Sequence, residues 1–190
     1  YKRQLAGRLT ACNDVGKDSL LADMSASSEI SESELRSNAK LMILGGMQEP
    51  AHTLGTAVTG LLTSPAELER ARSEHLWRQC IEEALRWISP VGTATRTTRC
   101  DVEVAAVRVP ARTRVAAVLA SANRDPARWD DPDRFDPKRR DFRHRAFGAG
   151  PHFCVGHAIA RTEMTTGLRM LFERFPDIRV SGEPIRHTGW

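Results

Sequence analysis

The run Phe147-Gly148-Ala149-Gly150-Pro151-His152-Phe153-Cys154-Val155-Gly156 sets one cysteine in a glycine-rich loop behind two phenylalanines. Beyond it, Ile159, Met164, Leu168, Leu171, Phe172 and Phe175 recur at helical spacing up to Pro176. The spacing predicts a helix with Cys154 at its start. A thiolate there is stabilised by the positive end of the helix dipole and by free backbone N–H groups. Gly148, Gly150 and Gly156 have no Cβ, so the backbone can approach a flat macrocycle closely. Phe147 and Phe153 are placed to shield the sulfur from water.

A cysteine ligand pushes electron density into haem iron and favours O–O cleavage. The loop therefore predicts Cys154 as the thiolate ligand of a haem that activates oxygen. Other readings explain less. A lone cysteine is usually an inert core residue, but not in such a loop. A zinc site from Cys154, His144, His152 and His157 lacks the paired spacing of structural fingers. A nucleophile activated by His152 or His157 needs an orienting third group that the sequence does not signal. A dinucleotide fingerprint fails because Phe153 stands where the third glycine belongs.

Working outward, the spacing from Lys2 to Met24 predicts a helix and a short second piece, divided near Asn13 and Gly16. Ser31-Glu32-Ser33-Glu34 has the form of a capping box opening a long helix to about Leu62. Gly45, Gly46 and Pro50 fall inside it, and Pro50 cannot donate to the Gly46 carbonyl, so a local opening or kink is expected. Ser64-Pro65-Ala66-Glu67 starts a second long helical stretch, with Ser64 as its capping residue, to Ile88. Pro90 stops it, and β-branched residues from Gly92 to Val118 predict small sheets. From Asn123 to Ala149 the recurring Asp-Pro pairs predict an ordered meander. The fold class is mainly α with small β-sheets.

A content of 41% hydrophobic and 27% charged residues is that of a globular domain. The net charge of +4, without a long Lys/Arg block, gives no reason to expect nucleic acid. Cys12, Cys80, Cys100 and Cys154 are too far apart for a zinc clamp or a dense disulfide framework, which favours a reducing compartment. The apolar stretch at Leu41 to Leu44 is far too short for a membrane span, and no signal peptide opens the chain. A cytoplasmic protein without a membrane segment is expected. Tyr1 begins in mid-pattern and Trp190 follows a polar, strand-like segment, so a fragment is expected too.

The cysteine loop resembles that of the cytochrome P450 haem-thiolate monooxygenases, Phe-Gly-x-Gly-x-His/Arg-x-Cys-x-Gly, at every fixed position. Glu83-Ala84-Leu85-Arg86 is similar to the family's Glu-x-x-Arg helix element, and Pro132-Asp133-Arg134-Phe135 to its Pro-x-Arg-Phe element. The resemblance covers essentially the whole chain and implies the haem-binding carboxy-terminal part of one P450 domain. The amino-terminal half and the last β segment would be absent. It further implies haem b with Cys154 as axial ligand and Phe147, Gly148, Gly150 and Gly156 around it. Arg96 and His152 would contact the haem propionates, and Glu83, Arg86 and Arg134 would form a buried ion-paired cluster. Dioxygen and electrons from a ferredoxin, or from a flavin or iron–sulfur reductase, complete the implied reaction.

In one place the chain departs from the family pattern. Where the long helix should carry Ala/Gly-Gly-x-Asp/Glu-Thr-Thr, it has Gly45-Gly46-Met47-Gln48-Glu49-Pro50. Gln48 takes the acid position and Glu49 the alcohol position, so Glu49 becomes the candidate proton shuttle. Peroxide-using members place Arg-Pro here to grip a carboxylate; Glu49-Pro50 has the opposite charge and favours a neutral substrate. This run, with Ser89-Pro90-Val91-Gly92-Thr93-Ala94-Thr95, is similar to bacterial members that O-demethylate small methoxyphenols. By that likeness Leu41, Gly45, Val91, Ala94 and Thr95 would line the substrate pocket. Arg128, Lys138, Arg139, Arg140, Arg143 and Arg145 form a basic run that could steer an acidic electron donor. The rival readings are a non-catalytic haem-binding or haem-sensing protein, and a fragment inert by itself.

Overall fold

The computed structural model describes residues 19–26 and 29–182. The helix expected from Lys2, Cys12 and the segment after residue 182 lie outside them. The chain divides into two compact units, Tyr1–Gln48 and Glu49–Trp190.

In the first unit, α1 (Leu20–Ala26) is the expected short second piece, and Ser19 Oγ accepts the Ala22 N–H at 3.2 Å at its start. Helix α2 (Glu32–Leu62) opens with the predicted capping box. Glu34 Oε2 accepts the Ser31 N–H at 2.8 Å, and Ser31 Oγ accepts the Glu34 N–H at 3.3 Å. These hydrogen bonds to Ser31 lower the Glu34 carboxyl below its usual range. The helix is continuous through Gly45, Gly46 and Pro50. Thr53, Ala57 and Leu61, all fully buried, anchor its second half, and tertiary packing of this kind offsets the intrinsic cost of a helical proline.

The second unit corrects the single helix expected between Pro65 and Ile88, which is two: α3 (Pro65–Ser73) and α4 (Trp77–Trp87). Between them His75 adopts φ +55°, and the Leu76 N–H reaches back to the Ala71 carbonyl at 3.0 Å. That bond closes a Schellman turn around a non-glycine residue. Ser64 does occupy the N-cap position of α3, but its hydroxyl makes no cap bond; its carbonyl accepts the N–H groups of Glu67 and Leu68.

The predicted sheet region is two antiparallel ladders. Strand β1 (Thr93–Thr97) pairs with β4 (Arg114–Val118), and between them β2 (Val102–Val104) pairs with β3 (Val107–Val109). Ala105 and Ala106 turn the inner hairpin with φ of +50° and +62°, the primed geometry usually left to Asn-Gly. A four-residue helix α5 (Leu119–Ala122) leads into the meander, which carries no regular element until Gly150.

Helix α6 (His157–Arg174) completes the core. It buries Met164, Leu168 and Phe172, one residue per turn, among Ala57, Leu61, Trp77, Ile81 and Leu85 from α2 and α4. Trp77 stacks on Phe172 with ring centroids 5.7 Å apart. Ile159 and Phe175 share the sequence spacing but are exposed, so the expected core stripe is narrower than the pattern suggests. Helix α4 is buried along nearly its whole length despite carrying Glu82, Glu83 and Arg86.

Candidate functional site

The cysteine loop is built by its own backbone. Gly148 and Gly150 have φ of +74° and +71°, a conformation that would strain any side chain. Three hydrogen bonds close the loop: Gly148 N–H to the Arg145 carbonyl at 2.8 Å, Phe153 N–H to Gly150 at 3.0 Å and Cys154 N–H to Phe147 at 3.0 Å. A short 3-10 helix, Gly150–His152, lies between them. Gly156 is the N-cap of α6, so Cys154 sits two residues ahead of the cap, a little before the position expected from sequence. The two phenylalanines divide their roles. Phe147 packs against the core, whereas Phe153, Val155 and Ile159 are 45%, 85% and 72% exposed.

Behind the loop lies a polar network that the sequence reading missed. Glu82, buried on α4, is hydrogen-bonded by His144 Nε2 at 3.0 Å and by Arg161 Nε at 2.6 Å and Nη2 at 3.2 Å. Burial alone would raise the Glu82 carboxyl, but the bonds from His144 and Arg161 and their charges bring it down to about 2. The Arg161 guanidinium also lies over the Phe147 ring, 4.5 Å from its centroid. No local signal in the sequence marks these partners, which lie 62 and 79 residues from Glu82.

The adjacent Glu83 holds the meander. Glu83 and Arg86 form a fully buried bidentate pair, with both nitrogen–oxygen distances 2.7 Å. The remaining Arg86 N–H groups go to the carbonyls of Asn123, Pro132 and Arg134 at 3.0, 2.8 and 3.0 Å. Here the expected cluster needs correcting. The Arg134 side chain is 57% exposed and pairs with Glu67 at 3.2 Å, contributing only its carbonyl to Arg86. The third charged member is Arg139, 9% exposed, with Nε 3.0 Å from Glu83 Oε1. That oxygen also accepts the Asp136 N–H at 2.8 Å. Asn123, fully buried and unremarked in the sequence, ties both halves together: its Nδ2 donates to Ser89 Oγ and its Oδ1 accepts the Arg145 N–H, each at 2.7 Å.

The remaining predicted residues lie on several elements. Arg96 is exposed on β1, donates to the Thr95 carbonyl at 2.7 Å, and has no ion-paired carboxylate among the described residues. His152 is exposed in the loop. In the first unit Leu41, Gly45 and Gln48 are exposed along α2; in the second, Val91 and Thr95 are exposed and Ala94 half-buried beside or on β1. Glu49 is half-buried, and its Oε2 is buried without a hydrogen-bond partner.

The expected basic run is largely neutralised. Arg139 belongs to the Glu83 cluster, Lys138 pairs with Glu74 at 3.0 Å, and Arg128 and Arg143 both pair with Asp141. Hydrogen bonds from Arg143 and Arg128 hold the Asp141 carboxyl far below the usual carboxylate range.

The loop suits a haem. A half-buried free cysteine, exposed apolar side chains on either side of it in the chain and exposed hydrogen-bond donors in Arg96 and His152 are what an apolar macrocycle with acidic edges requires. Among the described residues no group of three His, Cys, Asp or Glu is placed to hold a bare metal ion.

Comparison with known proteins agrees with this geometry. The sequence model of the cytochrome P450 family matches residues 3–184. A putative cytochrome P450 140 from Mycobacterium tuberculosis is 43% identical over 85% of the chain and 39% of its own length. The 6-deoxyerythronolide B hydroxylase of Saccharopolyspora erythraea is 38% identical over 77% of the chain and 37% of its own length. The structure of the tirandamycin C-bound P450 monooxygenase TamI superposes with a TM-score of 0.89 at 32% identity, covering 95% of the chain and 47% of TamI. The chain thus spans less than half the length of these relatives. With its cysteine loop, its Glu-x-x-Arg pair and a family match over nearly all its residues, the chain belongs to the cytochrome P450 family.

Proposed function

We propose that residues 1–190 are the haem-binding carboxy-terminal portion of a single P450 domain, and that the loaded protein is a haem-thiolate monooxygenase. The cysteine loop carries this reading: a half-buried Cys154 is fixed by backbone hydrogen bonds, with exposed apolar residues next to it in the chain. Bound through the thiolate, haem supplies oxygen activation, with electron donation that favours O–O cleavage. Cys154 provides the ligand, Arg96 and His152 hold the propionates, and Phe147, Gly148, Gly150 and Gly156 shape the loop. Glu83, Arg86 and Arg139 fix the meander that leads into it.

One atom of dioxygen enters the substrate and the other leaves as water, so protons must be delivered. Glu49 is the residue to do it, with Gln48 beside it, because its Oε2 is buried and unpartnered in the helix where the family places its acid–alcohol pair. A carboxyl oxygen in that state is free to take a hydrogen bond from a water or from a group brought by substrate. The substrate is a small neutral organic molecule, since Glu49 would repel a carboxylate. Val91, Ala94 and Thr95 contribute small or aliphatic surface to its pocket.

The reaction is hydroxylation, as the name of the Saccharopolyspora relative says of that enzyme. Applied to an aryl methyl ether, it becomes O-demethylation: the oxygenated methyl carbon forms a hemiacetal that collapses to the phenol and formaldehyde. Electrons come from a ferredoxin or a flavin or iron–sulfur reductase in the cytoplasm. Arg140 and Arg145, which have no acid partner among the described residues, offer it positive charge. Glu49→Gln is expected to lower product formed per electron consumed, with substrate binding unchanged. An unaltered coupling ratio would remove Glu49 from proton delivery.

A further inference from the structure

His144 lies ten residues before the cysteine, yet its hydrogen bonds reach the cysteine loop. Its side chain is 1% exposed. Nε2 faces Glu82 Oε2 at 3.0 Å, and Nδ1 lies 3.2 Å from the Ala146 N–H, which can only donate. Nδ1 is therefore the acceptor, and the ring proton sits on Nε2, pointing at the carboxylate. Arg161 holds that carboxylate from the other side, so Glu82 is fixed between α4 and α6. On the loop side, Ala146 precedes Phe147, whose carbonyl accepts the Cys154 N–H at 3.0 Å. The connection runs without a gap: Glu82 carboxylate, His144 ring, Ala146 N–H, Phe147 carbonyl, Cys154 N–H.

We propose that His144 is a positioning residue for the Cys154 thiolate, holding the first arm of the cysteine loop in register through its bond to the Ala146 N–H. The inference rests on the haem-thiolate reading and adds to it a residue that touches neither sulfur nor macrocycle. Neighbouring carboxylates on α4 thereby divide the labour. Glu83 fastens the middle of the meander at Asp136 and Arg139, and Glu82, through His144, fastens its end where it becomes the loop. Loss of the His144 bond leaves the Ala146 N–H without its acceptor and loosens the segment whose Phe147 carbonyl holds the Cys154 amide.

The test compares His144→Leu with His144→Asn in the haem-loaded protein, reading the Soret band of the reduced carbon monoxide complex. Thiolate ligation gives a strongly red-shifted band, and protonation or loss of the thiolate abolishes the shift. Asn places an amide oxygen where Nδ1 stood and can accept the Ala146 N–H; Leu fills the space without accepting. Loss of the red shift in His144→Leu, with retention in His144→Asn, is the expected result. Retention in both overturns the proposal, and so does equal loss in both, which would mean that the ring only fills space. If His144→Leu does not load haem, His144→Asn decides alone: a red-shifted band supports the bond to Ala146, and an unshifted one overturns it. An unshifted band in the unmutated protein would instead overturn the haem-thiolate reading itself.

Discussion

Arg86 uses all five of its N–H donors, two on Glu83 and three on main-chain carbonyls, with no part of its side chain exposed. Removing one partner of a buried ion pair costs about 3–5 kcal/mol, and here three meander carbonyls lose their donor as well. Arg86→Ala is expected to yield protein without haem, measured as Soret absorbance per polypeptide. Arg86→Lys should fare little better, because an ammonium cannot reproduce the planar fork; normal haem content in either variant would contradict the role. Glu82 makes a second prediction, on pH. Its folded value of about 2 lies below the ordinary carboxyl value of 4.5, so its ionisation stabilises the fold fully above about pH 4.5 and progressively less as pH falls towards 2. Denaturation at several pH values should show Glu82→Gln less stable at neutral pH and less sensitive to acid across that window. An unchanged acid dependence would mean that the buried carboxylate contributes nothing.

Elements were legible where the signal is local. The Ser31–Glu34 box opened α2 as read, because both halves of a capping box lie within one turn. The break between α3 and α4 was not legible, since the Schellman turn uses His75 in place of the glycine that would have announced it. Nor did the run Lys138-Arg139-Arg140 reveal which arginine reaches Glu83, because long side chains choose partners by tertiary distance and not by motif. Gly60 also escaped notice. A Cβ there would stand 2.6 Å from the ring of Phe135, which is buried and packs edge-on to Trp87 at 5.5 Å. Gly60→Ala is therefore expected to destabilise the second unit by about 1–3 kcal/mol, the usual cost of overpacking a core. A melting temperature equal to that of the unmutated protein would show that Phe135 can move aside.

At the scale of the molecule, one short helix coordinates the parts. Helix α4 packs its apolar residues against α6, grips the meander through Glu83 and Arg86, and reaches the cysteine loop through Glu82 and His144. The cysteine loop and the Glu-x-x-Arg pair could be recognised in sequence because each is a compact pattern of fixed spacing. The Glu82–His144–Arg161 connection could not, since its members lie 62 and 79 residues apart and meet only in the folded chain. Among the described residues no helix is long and apolar enough to cross a membrane. Among the family's features, the cysteine bears most weight, and it has a direct test. The reduced carbon monoxide complex of the haem-loaded protein should show the red-shifted Soret band of thiolate ligation, and Cys154→His should keep haem while losing that shift. A red-shifted band that survives Cys154→His would contradict the account.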